Sequence, residues 1–156
     1  MTKIKSLSVL SKVLARLRSK GKRIVFTNGC FDILHLGHIR YLKRAKKLGD
    51  ILVIGLNSDR SVRLIKGAAR PINRQSARAE ILSALYFVDY VTIFNERTPK
   101  EVINKVRPDV LIKGGDWKAE DIVGASFVKS YGGGVVSLPF IKGYSTTLLI
   151  KKLRNE

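Results

Sequence analysis

The two histidines of this 156-residue chain, His35 and His38, close the run Thr27-Asn28-Gly29-Cys30-Phe31-Asp32-Ile33-Leu34-His35-Leu36-Gly37-His38. The apolar residues that end at Thr27 read as a strand, and a helical pattern begins at His38. A helix start presents free backbone N–H groups and the positive end of its dipole, both of which favour phosphate. Two imidazoles beside it add directional donors that titrate near neutral pH, and Gly37 lets the backbone approach a ligand closely. The same residues are compatible with one buried histidine and one that caps the helix. A zinc site is poorly supported, because no third histidine and no cysteine pair accompanies them. The order strand, glycine-containing turn, Asp32, His-x-Gly-His, helix favours phosphate chemistry.

Those residues need elements to hold them. Short apolar, β-prone runs at 24–27, 51–56, 90–94, 110–112 and 135–138 alternate with helical patterns at 38–48, 58–64, 76–87, 99–106, 125–131 and 145–153. Strands that are apolar throughout, each separated by helix, predict a doubly wound, mostly parallel α/β sheet of five strands covered on both faces. Ligands of such sheets bind outside the carboxyl ends of the strands. The segments that matter are therefore 28–38, 57–59, 113–117 and 139–147. Before the first strand, Leu7, Leu10, Val13, Leu14 and Leu17 recur at helical spacing, predicting a basic amphipathic helix within residues 1–22 as an appendage to a domain of residues 23–156.

Charge adds a second constraint. Thirty Lys+Arg against 12 Asp+Glu leave a net +18, with no acidic residue before Asp32. An anionic partner is implied, and charge alone does not choose among nucleic acid, a membrane surface and a small phosphorylated substrate. A nucleic-acid-binding protein lacks support in an aromatic RNA-binding signature, zinc-ligand spacing or a helix-turn-helix, so no specific nucleic acid is expected. The apolar runs are too short to span a bilayer. With the lone Cys30, this gives the expectation of a soluble, cytoplasmic protein that binds no membrane.

The stretch from Gly29 to His38 resembles the signature of the HxGH nucleotidyltransferase superfamily. Gly143-Tyr144-Ser145-Thr146-Thr147, at a second strand-to-helix junction, is similar to its other signature. Asn57-Ser58-Asp59, Lys66-Gly67, Arg70-Pro71-Ile72-Asn73, Arg78, Lys113-Gly114-Gly115-Asp116 and Gly132-Gly133-Gly134 narrow the resemblance. They fall in the order seen in the adenylyltransferase domain of the bacterial heptose-phosphate pathway. That family makes ADP-heptose and pyrophosphate from D-glycero-β-D-manno-heptose 1-phosphate and ATP, with Mg²⁺, for the inner core of lipopolysaccharide.

The resemblance implies a Rossmann-like nucleotidyltransferase fold, ATP and a sugar 1-phosphate as substrates, Mg²⁺ accompanying ATP, and a homo-oligomer. It makes His35, His38, Lys66 and Arg78 the catalytic group, with no protein-held metal. Gly29, Cys30, Phe31, Gly37, Lys113, Gly115, Asp116, Tyr144, Ser145 and Thr146 become nucleotide-binding candidates. Asn28, Asp32, Asp59, Arg70 and Trp117 become candidates for the acceptor. Cytidylyltransferase relatives carry an arginine before the last helix where this chain has Phe140-Ile141-Lys142, which favours ATP over CTP. An FMN adenylyltransferase and a glycerol- or ethanolamine-phosphate cytidylyltransferase remain the alternatives.

Overall fold

The computed structural model describes residues 2–115, 117–139 and 143–153. Five strands, β1 (Ile24–Gly29), β2 (Ile51–Asn57), β3 (Tyr90–Phe94), β4 (Val110–Gly114) and β5 (Gly134–Leu138), form one sheet in the order β3-β2-β1-β4-β5. Every pairing is parallel. The helices are α1 (Leu7–Ser19), α2 (Leu36–Lys46), α3 (Asp59–Lys66), α4 (Gln75–Ala84), α5 (Lys100–Val106), α6 (Ala125–Ser130) and α7 (Thr146–Leu153). A single 3-10 turn covers Ala119–Asp121. The doubly wound expectation is met, and among the described residues no helix is long and apolar enough to cross a membrane.

Alternation along the strands divides the core in two, because successive side chains of a strand point to opposite faces. Val25, Leu52, Ile54, Val110 and Ile112 pack with Leu42 and Ala45 of α2 and with Ala79 and Leu82 of α4. Their neighbours Ile24, Phe26, Val53 and Leu111 face the other way, onto α5, α6 and α1. The strands read as continuous apolar runs because both faces are covered.

The N-terminal helix differs from the expected appendage. Leu10 and Leu14 are 0% and 1% exposed within the second cluster, beside Ile24, Val102, Ile103 and Val106. Arg18 Nη2 donates to the Val106 and Arg107 carbonyls, both at 3.0 Å. Ahead of the helix, Lys5 N–H donates to the Val91 carbonyl and Val91 N–H to that of Lys3, so the chain start lies along β3. The amphipathic stripe was legible in the sequence. What it packs against depends on contacts remote in the chain.

The strand order reverses at β1, whose neighbours are β2 and β4. Chains leave the sheet in opposite directions there and open a crevice at the carboxyl end of β1. The segment from Asn28 to His38 emerges at that point.

Candidate functional site

A cavity of about 840 Å³ lies over the carboxyl ends of the strands, large enough for a nucleotide and part of a second substrate. Its floor is the β1–α2 segment, with Asn28, Gly29, Cys30 and Phe31 followed by Asp32, His35, Gly37 and His38. The imidazoles of His35 and His38 are stacked, with centroids 3.8 Å apart and planes at 24°. Phe31 lies against His38 at 5.3 Å, and the Tyr144 ring reaches within 6.4 Å of His35.

Gly37 makes this closure possible. A Cβ built there would lie 3.0 Å from the His35 ring and 3.2 Å from Tyr144 Cβ, so a side chain would fit only if the His35 ring and Tyr144 gave way slightly.

Burial disfavours the charged form of both imidazoles. It pushes His38 down to about 4, with the neighbouring His35 acting in the same direction, and it lowers His35 as well. Each ring holds a buried Nδ1 with no hydrogen-bond partner among the described residues. A buried polar atom left unpaired is costly, so these two atoms are capacity for a ligand. His35 occupies the N-cap position of α2 without a side-chain capping bond, which leaves its ring for the cavity.

Cations converge on the same floor. Lys66, at the end of α3, and Lys113, at the end of β4, both line the cavity. Neither forms an ion pair among the described residues. Burial lowers the Lys113 ammonium and Lys66 lowers it further, while the charge interaction with Cys30 acts the other way. Burial raises the Cys30 thiol, against the opposing field of Lys66, Arg78, Lys113 and Arg70. A dianion or trianion entering here would relieve this repulsion.

Asp32 organises the loop that follows α3. Its carboxylate accepts from the N–H groups of Ile72 and Asn73 and from Arg70 Nε, the last at 2.6 Å. Burial alone would raise its pKa, but those bonds hold it below the usual carboxylate range. Asn73 Nδ2 returns a bond to the Asp32 carbonyl. Asp32 is thus fully used by protein groups, and Arg70 is fixed at the cavity wall through its Nε.

Two candidates lie away from the cavity wall. Arg78 is 1% exposed and is absent from the cavity wall. It donates to the carbonyls of Asn73, Cys30 and Asn57 and pairs with Asp59 at 2.8 Å. The guanidinium ties the β1 and β2 ends to the loop before α4. Asp59, spent on that pair, likewise does not line the cavity. The resemblance placed both near the site, but which way a side chain faces is set by packing.

On the far side, Trp117 lines the cavity together with Ile122, Val123 and Pro139. Gly114 takes the place expected for Gly115, whose N–H donates to the Leu138 carbonyl. Asp116 lies outside the described residues. Tyr144, Ser145 and Thr146 close the cavity at the start of α7, where Leu149 N–H donates to the Ser145 carbonyl and Thr146 Oγ1 to that of Ile33. Several wall residues escaped the sequence reading, Tyr41 and Arg97 among them. Tyr41, whose hydroxyl shares a 2.6 Å bond with Thr27 and which burial raises to about 12, is one helical turn beyond His38. Arg97, after β3, belongs to no motif.

A crevice at the switch point of a parallel sheet, with two stacked histidines, a helix start and several cations on its walls, is a candidate site for a phosphorylated nucleotide. Comparisons with known proteins agree. The model of the family "Cytidylyltransferase-like" matches residues 26–152, and the chain belongs to that family. It is 53% identical over 154 residues to "Bifunctional protein HldE" of Campylobacter concisus, covering 98% of this chain and 31% of that one. The chain thus spans about a third of the length of the curated relatives it matches. Among solved structures, the lipopolysaccharide core biosynthesis protein from Thermoplasma volcanium superposes with a TM-score of 0.63 at 36% identity, over 80% of this chain and 100% of that one. A pantoate-beta-alanine ligase from Francisella tularensis shares the fold at 15% identity and a TM-score of 0.64, over 99% of this chain and 77% of that one.

Proposed function

We propose that the chain transfers AMP from ATP to D-glycero-β-D-manno-heptose 1-phosphate, giving ADP-heptose and pyrophosphate for lipopolysaccharide core synthesis. The observation that carries this reading is the stacked His35–His38 pair, with two unpartnered Nδ1 atoms under the start of α2. The similarity to HldE proteins and to a lipopolysaccharide core biosynthesis protein supports the acceptor.

The chemistry asks little of a base. An oxygen of the sugar phosphate, already anionic at neutral pH, attacks the α-phosphorus. The bond from that phosphorus to the oxygen bridging the β-phosphorus breaks, and pyrophosphate leaves with the electron pair. The protein must align two polyanions and disperse the charge that develops. His35 and His38 donate to the phosphates as neutral rings, and the first-turn N–H groups of α2 and α7 add to them. Lys66 and Lys113 neutralise the pyrophosphate side, and Arg70, aimed by Asp32, meets the acceptor phosphate.

The nucleobase takes the apolar side near Trp117, Val123 and Pro139. Among the described residues no three His, Cys, Asp or Glu side chains group as a metal site, and Asp32 is already saturated. Mg²⁺ accompanying ATP would screen the charge of its phosphates. The enzyme is read as a cytoplasmic homo-oligomer.

The test pairs ATP or CTP with heptose 1-phosphate, glycerol phosphate or FMN, in Mg²⁺, while pyrophosphate is followed and the product is weighed by mass spectrometry. ADP-heptose is expected. Pyrophosphate from CTP and glycerol phosphate alone would replace this reading with a cytidylyltransferase.

A further inference from the structure

Arg97 reaches the cavity from the loop between β3 and α5, and that loop is held from behind by a buried polar relay. Asn57 Nδ2 donates to Ser61 Oγ at 2.9 Å, and Ser61 Oγ donates to the Glu96 carbonyl at 2.6 Å. Ser61 is 0% exposed. Ser58 N–H donates to the Phe94 carbonyl at 2.9 Å, tying the end of β3 to the start of α3. The backbone immediately before Arg97 is therefore anchored to the interior, while Arg97 itself is exposed and lines the cavity. Arg97 forms no ion pair among the described residues.

Strand order divides the cavity into two chemically different halves. On the β2 and β3 side of β1, the wall carries Lys66, Arg70 and Arg97. The acid there, Asp32, is committed to Arg70. On the β4 and β5 side, Lys113 stands at the end of β4, and the wall beyond it carries the apolar Trp117, Ile122 and Val123 beside Asp121. A flat nucleobase suits the second half. A phosphorylated acceptor suits the first, since an unpaired guanidinium binds phosphate oxygens through two parallel N–H bonds.

We propose that Arg97 is an acceptor-binding residue, which binds the phosphate of the sugar phosphate from the β3 side while Arg70 holds it from the α3–α4 loop. The assignment rests on the adenylyl-transfer reading above. Because Arg97 stands on the half that the nucleobase does not use, it separates the two substrates kinetically. Its relay partners Asn57 and Ser61 are positioning residues that act through the loop.

The experiment is steady-state kinetics of the full chain with ATP and heptose 1-phosphate. Arg97→Ala is expected to raise the acceptor KM roughly tenfold or more while the ATP KM stays within about twofold. Arg97→Lys, which keeps the charge and loses the planar fork, should recover part of the loss. An unchanged thermal midpoint shows that the fold is intact. An acceptor KM that does not move, or an equal rise in both KM values, overturns the assignment while leaving adenylyl transfer standing. A wild-type chain that turns over no sugar phosphate overturns the underlying reading, and the role of Arg97 falls with it.

Discussion

His38 combines the two properties that make a residue legible in sequence and consequential in structure. Its spacing from His35 across Gly37 announced phosphate chemistry, and burial leaves it neutral with an orphaned Nδ1. His38→Ala is expected to lower kcat about a hundredfold or more, the loss of one preorganised donor. A pH titration of stability gives an independent signature. Histidine ordinarily titrates at 6.5, and His38 is pushed down to about 4. Between those values the unfolded chain takes up a proton that the folded one refuses. Stability from this group is therefore full above about pH 6.5 and is lost as the pH falls toward 4, by up to about 3 kcal/mol. His38→Ala should flatten that part of the melting curve; a variant that keeps both the wild-type slope and turnover would take His38 out of the site.

Arg78 shows the opposite case at the same scale. A motif named it, yet its donors are consumed by the Asn73, Cys30 and Asn57 carbonyls and by Asp59. Arg78→Gln should destabilise the protein by about 3 kcal/mol or more, since a buried pair and several carbonyls lose their partner. Urea unfolding measures it. Loss of turnover at unchanged stability would instead give Arg78 a catalytic role. Sequence marks which side chains gather near a site, but the facing of each depends on contacts such as Asn73 to Asp32, 41 positions apart in the chain.

The strands and helices were largely legible element by element, because both-face burial writes continuous apolar strands and amphipathic helices into the sequence. The predicted strand at 90–94 coincides with β3, and α5 and α6 differ from prediction by a residue at one end. The β1 and β4 strands run two residues beyond their apolar cores, through Asn28-Gly29 and Lys113-Gly114. Those polar extensions are the site itself, where a strand continues on ladder bonds while its side chains turn to a ligand. The 3-10 turn at Ala119–Asp121 carried no apolar period to reveal it. For α1, partners remote in sequence decide the outcome. Leu14, 1% exposed against Ile24 and Val106, should cost about 2–5 kcal/mol when cut to alanine. A helix standing off the domain would give a change within about 0.5 kcal/mol, so denaturant unfolding of Leu14→Ala distinguishes the two.

The whole molecule carries +18, far more charge than a few phosphate contacts require. The described ion pairs commit few of its cations: Lys46 with Asp89, Arg70 with Asp32, Arg78 with Asp59, and two exposed pairs. The rest form a long-range field, and at the cavity mouth Lys66 and Arg97 extend it to the site. A field of this kind raises the encounter rate of an anionic substrate and leaves the chemical step alone. Raising salt from about 10 mM to about 200 mM shortens the screening length from roughly 30 Å to under 10 Å. The expected result is a several-fold fall in kcat/KM for the sugar phosphate with kcat nearly constant. Screening acts on the distant lysines and arginines, so Arg97→Ala should lower kcat/KM at every salt concentration yet retain most of the slope. A salt-independent kcat/KM would show that the surplus charge does not steer substrate. Parallel losses in kcat and kcat/KM would place the effect of salt in the bound complex, among the cations that touch the phosphates.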